Sequence, residues 1–180
     1  TVYGSPNLFR QTSAQDAGEQ AVFLTQGKQG KPGFDIENAD FILSFGCGLL
    51  DGWGCSGRMF RLFAARDTSQ KIIQIEPRLS DTAARADRWI GINPGTEGAL
   101  ALGLAHVIIR ESLYSKNFIE KFTFGFNDWT DEAGVAHTGF ATLVQAYTPE
   151  KVAEITGIPK SLIESLAREF AGASRPLAIN

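Results

Sequence analysis

The chain of 180 residues has two cysteines, two histidines, one methionine and no surplus of positive charge. Each shortage excludes a class of chemistry. Cys47 and Cys55 stand in no spacing that holds structural zinc or an iron–sulfur cluster, so they are read as free thiols. With 17 Lys plus Arg against 20 Asp plus Glu, the net charge is −3, and nothing is left over to neutralise the phosphates of a nucleic acid. No nucleic-acid partner is expected. Long apolar runs are missing as well. The nearest, 99–109, is broken by His106 and falls short of the roughly 20 residues that cross a bilayer. Neither a Walker loop nor a Ser/His/Asp elbow occurs. The chain opens on Thr1 and stops in the apolar run "RPLAIN", so it is read as a piece of a longer protein whose compartment stays open.

What is present is the pattern of one α/β domain, and the length suffices for a full core. Residues 1–38 are rich in Gly, Ser, Gln and Pro and form a loop-rich entry segment with one helix over 14–24. The run "ADFILSF" at 39–45 predicts a strand buried on both faces. Met59, Phe60, Leu62 and Phe63 then fall at helical spacing, and 71–75 is a second β-branched strand. Such a strand–helix–strand unit crosses over right-handed, with its strands parallel. Ser80 or Asp81 caps a short helix through 86, and 89–92 is a third strand. Residues 96–112 are apolar on almost every face, which predicts a helix buried between layers. Ser115 caps a helix that turns Phe118, Ile119 and Phe122 inward. Thr148 and Pro149 open another that Gly157 stops, 159–170 is a further helix, and a strand starts after Arg175. Residues 39–180 are therefore expected to form a three-layer, Rossmann-like α/β domain with a mostly parallel sheet flanked by helices.

Three constellations in this frame carry chemistry. Gly46, Gly48 and Gly52 lie between the first strand and its helix, one residue off the dinucleotide fingerprint, where amides can approach a phosphate or simply turn the chain. Glu76 ends the second strand, where an acid of a doubly wound sheet can accept from ribose hydroxyls. Arg78, placed by Pro77, can grip a phosphate, or can form a surface ion pair with Glu76. Glu97 opens the long helix after Gly95 and Thr96. The helix dipole alone favours it there, and its two oxygens also match the paired N–H donors on one edge of guanine. His106 reads as a satisfied core histidine, and His137 as a loop residue facing water.

In their order and spacing, "ENADFILSFGCGLLDGWG", "IIQIEPRLSDTAARADRWIGINPGTEGALALGLAHVIIRESLYSKNFIEKFTFGF" and "YTPEKVAEITGIPKSLIESLAREFAGASRP" resemble the catalytic subunits of molybdopterin oxidoreductases, the dimethyl sulfoxide reductase family. The opening "YGSPNLF" resembles the thiosulfate, polysulfide, tetrathionate and arsenate reductase branch. The resemblance implies an internal piece, 39–180, that binds molybdopterin guanine dinucleotide carrying molybdenum or tungsten. It implies Gly46, Cys47, Gly48 and Asp51 at the cofactor diphosphate, Glu76, Pro77 and Arg78 by the ribose and phosphate, and Gly95, Thr96 and Glu97 near guanine. This chain departs from the family in having Gly48 where Asn is frequent, and Glu76 and Glu97 where Asp is usual. The metal-ligating side chain would fall in 12–18, where Asp16 and Ser13 are the candidates.

For the parent protein the resemblance further implies an iron–sulfur cluster outside this chain, the subunit's other domains, an iron–sulfur electron-transfer subunit and a membrane anchor subunit. Its expected place is the periplasm or the membrane of a prokaryote. The parent reaction is then two-electron redox chemistry on a small substrate such as a sulfur or arsenic oxyanion, and the isolated piece has no turnover. Two other readings stay open at this point: an NAD(P)-binding dehydrogenase domain, and a non-catalytic binding module.

Overall fold

The computed structural model of the protein describes residue 4 and residues 14–27, 29–66 and 68–180. The chain divides into two compact units, Thr1–Phe34 and Asp35–Asn180. The first contains helix α1, Ala14–Gln26, with Asp16 in its first turn.

The second unit is built on β1 (Phe41–Phe45), β2 (Lys71–Ile75), β3 (Arg88–Ile90) and β6 (Pro176–Ile179), in the order β3-β2-β1-β6 with every pairing parallel. Its helices are α2 (Ser56–Ala65), α3 (Asp81–Arg85), α4 (Glu97–Arg110), α5 (Lys116–Phe122), α6 (Phe140–Leu143), α7 (Pro149–Thr156) and α8 (Lys160–Gly172). The sheet grows from β1 through β2 to β3 and then returns to place β6 on the other side of β1. That reversal is the point at which an open parallel sheet leaves a crevice at its carboxyl edge.

Strand alternation sorts the core into two layers. Leu43, Ile73 and Ile75 turn toward α4, α7 and α8, where they pack with Leu100, Leu104, Val107, Val152, Ile163 and Leu166. Ile42 and Ile72, and with them Ser44 and Gln74, point to the opposite face and are fully buried there. The three-layer expectation holds. Local signals account for the helix ends: Ser80 accepts the Ala83 amide at the start of α3, Thr148 accepts the Lys151 amide before Pro149, and Gly157 ends α7 in the left-handed conformation.

Three sequence expectations need correction. Helix α4 buries one face, Leu100, Gly103, Leu104 and Val107, while Ala101 and Arg110 are exposed, so it is an outer layer rather than a helix enclosed on all sides. Ser115 does cap α5, but Phe118 and Phe122 face outward, 55% and 71% exposed, and pair their rings with each other. His137 is on a strand rather than in a loop, although its side chain remains 38% exposed. It lies on β5 (Ala136–His137), which pairs antiparallel with β4 (Trp129–Thr130), and it stacks on Trp129 with ring centroids 4.2 Å apart. His106 is held by the carbonyl of Val144 at 3.0 Å, as a satisfied histidine should be.

Candidate functional site at the carboxyl edge of the sheet

Strand β1 runs out at Phe45 into Gly46, whose φ of 72° suits glycine and turns the chain sharply across the strand tips. The Gly46 amide still bonds the Ile75 carbonyl at 2.9 Å, which keeps the start of the loop on β2. The Cys47 carbonyl then points back into the protein and takes three donors: the Leu49 amide at 2.9 Å, Gln74 Nε2 at 3.1 Å and Ser44 Oγ at 3.3 Å. Farther along, the Gly48 carbonyl accepts from Asp51 at 2.9 Å and Trp53 at 3.0 Å, and the Leu50 amide donates to Thr82 Oγ1 at 2.9 Å. The amides of Cys47 and Gly48 donate to no acceptor among the described residues. Two successive free amides on a glycine turn form a concavity suited to an anion.

Gly48 is a glycine for a local reason. A Cβ at this position would lie 2.9 Å from Asp51 Cβ, so the turn closes too tightly for a side chain. Asp51 is itself engaged, because its Oδ2 accepts the Thr82 hydroxyl at 2.7 Å and the Thr82 amide at 3.3 Å. Those hydrogen bonds lower the Asp51 carboxyl below its ordinary value, helped by the positive charge of Arg78. Cys47 is no nucleophile: burial pushes its thiol up to about 12.

Glu76 follows β2 directly and is only 5% exposed. Its Oε1 accepts the Ser80 amide at 3.1 Å and its Oε2 accepts from Gln74 Nε2 at 3.2 Å, while its carbonyl takes the Trp89 indole N–H at 3.1 Å. Arg78, one residue beyond Pro77, is exposed and makes no salt bridge among the described residues. The ion pair Glu76–Arg78 is therefore not formed. Glu76 organises the turn from within, and Arg78 reaches outward near Asp51.

Glu97 opens α4, which leaves the same edge of the sheet after β3. Gly95 adopts a φ of 76°, and the Thr96 hydroxyl donates to the Asn93 carbonyl at 2.6 Å. The Asn93 side chain in turn bonds the Ile155 carbonyl at 2.9 Å, which ties this loop to the end of α7. The half-buried carboxylate of Glu97 has no hydrogen-bond or salt-bridge partner among the described residues. Topology thus puts the glycine loop, Glu76, Arg78 and Glu97 at one edge, with free amides at one point and a free carboxylate at another.

Sequence reading missed Ser44, Gln74 and Thr82. Ser44 and Gln74 are cross-strand partners in the register of β1 and β2, both fully buried. The signal was one polar residue inside each apolar strand, "ILSF" and "IIQI". Asp16 lies in the other unit, and Ser13 lies outside the described residues. Among the described residues, no group of three or more His, Cys, Asp or Glu side chains is placed to hold a metal ion.

Residues 2–162 match the family profile described as molybdopterin oxidoreductase. The chain belongs to the molybdopterin oxidoreductase family. It is 34% identical over 179 residues to the thiosulfate reductase molybdopterin-containing subunit of Salmonella typhimurium, covering 99% of this chain and 22% of that one. It is 30% identical over 194 residues to the menaquinone reductase molybdopterin-binding-like subunit of Nitratidesulfovibrio vulgaris, covering 98% and 26%. Among solved structures, acetylene hydratase from Pelobacter acetylenicus superposes with a TM-score of 0.63 at 31% identity, over 80% of this chain and 18% of that one. The chain thus spans about a quarter or less of these relatives. The family implies a molybdopterin cofactor, and several relatives are named as subunits of reductases.

Proposed function

We propose that residues 39–180 form one docking face of a larger catalytic subunit and bind the guanine dinucleotide part of molybdopterin guanine dinucleotide. The observation that carries this reading is the pairing of two free amides, on Cys47 and Gly48, with the unpartnered carboxylate of Glu97 at the same sheet edge. An anion wants the first and a donor-rich base edge wants the second. The Cys47 and Gly48 amides would hold the diphosphate, with Asp51 keeping the loop closed. Arg78 would add a charge-assisted contact to phosphate. Glu97 would accept two N–H groups from guanine, flanked by Gly95 and Thr96. Glu76 and Pro77 would shape the sugar side of the cleft.

When bound, the cofactor supplies redox chemistry at its metal, molybdenum or tungsten, and the protein supplies position and electrostatics. In the parent, Asp16 is the candidate oxygen ligand. Relatives named thiosulfate reductase and arsenate respiratory reductase favour a sulfur or arsenic oxyanion as the two-electron substrate. An iron–sulfur cluster beyond this chain, an electron-transfer subunit and a membrane anchor belong to the same proposal.

Separate titrations of GDP, ADP and NADH, followed by the melting temperature, test the binding reading, because a ligand of the folded state raises stability. GDP is expected to raise it and the other two to leave it unchanged. An equal response to NADH would favour the dehydrogenase reading, and no response to any would favour a binding module for something else.

A further inference from the structure

Gln74 holds the one feature of this edge that the reading above leaves unexplained. Its side chain is fully buried, and both hydrogens of its amide are used, on the Cys47 carbonyl at 3.1 Å and on Glu76 Oε2 at 3.2 Å. Its Oε1, sealed from solvent, has no hydrogen-bond partner among the described residues. Turning the amide over does not help. Oε1 would then face a carbonyl and a carboxylate, two acceptors, so the network itself fixes which atom points where. The hydroxyl of the cross-strand partner Ser44 donates to the Cys47 carbonyl. A buried acceptor without a donor is uncommon in native proteins and is met by an ordered water or a ligand; Gln70 Oε1, before the other end of β2, is in the same state, but only Gln74 lies at the carboxyl edge.

The position of this acceptor indicates what that partner is. Gln74 lies under the junction of the glycine loop and the Glu76 turn, between the amides proposed for the diphosphate and the acid at the end of β2. Glu76 receives one protein donor on each oxygen and keeps further lone pairs, whereas the oxygen of its neighbour Gln74 receives no donor at all. We propose that Gln74 Oε1 accepts a ribose hydroxyl of the bound nucleotide, directly or through one ordered water, with the turn at Gly46 to Gly48 shifting to expose it while Leu50 and Asp51 stay held by Thr82. This rests on the nucleotide-binding reading and adds to it a residue that discriminates ribose from deoxyribose. A water relay preserves the discrimination, because the hydroxyl remains the donor at its far end.

The test is a chemical double-mutant cycle on the chain, with dissociation constants for GDP and 2′,3′-dideoxy-GDP measured for wild type and Gln74→Met, a near-isosteric change that removes the acceptor. Wild type is expected to bind the dideoxy nucleotide about tenfold more weakly, as loss of one hydrogen bond predicts, and Gln74→Met to bind both equally. A purely structural role for Gln74 would weaken both nucleotides alike and leave the ratio at its wild-type value, which overturns the proposal. Should Gln74→Met not fold, Gln74→Asn keeps an amide in the layer, withdraws Oε1 by a methylene, and is read by the same ratio. If wild type binds neither nucleotide, the docking reading itself has failed; if it binds both equally, only the role of Gln74 has.

Discussion

Thr82 Oγ1 donates to Asp51 Oδ2 at 2.7 Å and accepts the amide of Leu50 at 2.9 Å, so one side chain of α3 pins the glycine loop at two points. Thr82 is itself fully buried, and without its hydroxyl the loop keeps its attachment at the root, the contacts of the Cys47 carbonyl and the Thr82 amide on Asp51. Replacing Thr82 with Val keeps the shape and removes the hydroxyl, leaving the buried Leu50 amide without an acceptor. The expected destabilisation is about 1–3 kcal/mol, the range for an orphaned buried hydrogen-bonding group. Urea unfolding of both proteins checks the size. Hydrogen exchange at Leu50 checks the cause, since its protection should fall more than that of β1.

A second consequence concerns acid. Glu111, at the end of α4, takes the Arg168 guanidinium through two hydrogen bonds at 2.8 Å and Arg110 through one at 2.9 Å, and these donors hold its carboxyl down at about 2. A carboxylate depressed on folding contributes stability that is fully present above its unfolded value and disappears as pH falls through its folded value. The contribution of Glu111 should therefore be constant above pH 4.5 and vanish between about pH 4.5 and 2. In Glu111→Gln, melting temperatures across that interval should fall less steeply than in wild type. Equal slopes would remove Glu111 from the acid response. Salt should shrink the difference, because these groups are in contact with solvent.

Two buried glutamines, Gln70 just before β2 and Gln74 within it, show how far sequence reading reaches. Gln70 donates to the carbonyls of Ile36 and Ala39, each at 2.8 Å, on the amino side of β1, and Gln74 does the corresponding work on the carboxyl side. The run 71–75 was legible as a strand because β-branched residues fill it, and Ser80, Thr148, Pro149 and Gly157 were legible as helix ends because each signal is local. The pairing of Gln74 with Ser44 was not, since it depends on a register set by two strands whose residues lie 30 positions apart. The β4–β5 hairpin was missed because strands of two residues carry no readable period, and the Trp129–His137 stack across it is a contact that no local pattern announces. Phe118 and Phe122 had the right spacing for a helix face, but spacing cannot say whether a neighbour covers that face. At the site, acids and glycines were visible in the sequence. Which of them are free and which are already engaged was a matter of tertiary contact, and there Glu76 and Glu97 part company.

Gly103 marks where α4 and α7 approach most tightly. A Cβ on Gly103 would meet the two methyls of Val152 at 2.9 and 3.0 Å, and Val152 is fully buried with no free direction in which to yield. Gly103→Ala gains helix propensity, which alone would stabilise by up to about 1 kcal/mol. Overpacking works against it at about 1–3 kcal/mol and should win. The double variant with Val152→Ala should recover part of the loss, since the two sites share one space. Nucleotide affinity of the folded fraction should not change in either protein, because this contact lies within the helical layer. Thermal melts with and without GDP separate the two quantities.

Glu97 offers the most direct test of base recognition, because nothing in the described structure competes for its carboxylate. As an acid in the first turn of a 14-residue helix it interacts favourably with the dipole, an effect of about 0.3–1 kcal/mol near the surface. Glu97→Gln removes the charge and keeps the shape, so its melting temperature should drop by no more than a few degrees. Its effect on binding should be larger and selective. A carboxylate accepts from both N–H groups of guanine, whereas an amide can accept at only one of its two terminal atoms and presents a donor to the other. GDP affinity should therefore fall by an order of magnitude or more, while inosine diphosphate, which lacks the exocyclic amine, should lose less. If GDP and inosine diphosphate weaken by the same factor, Glu97 acts through the helix dipole and not through the base.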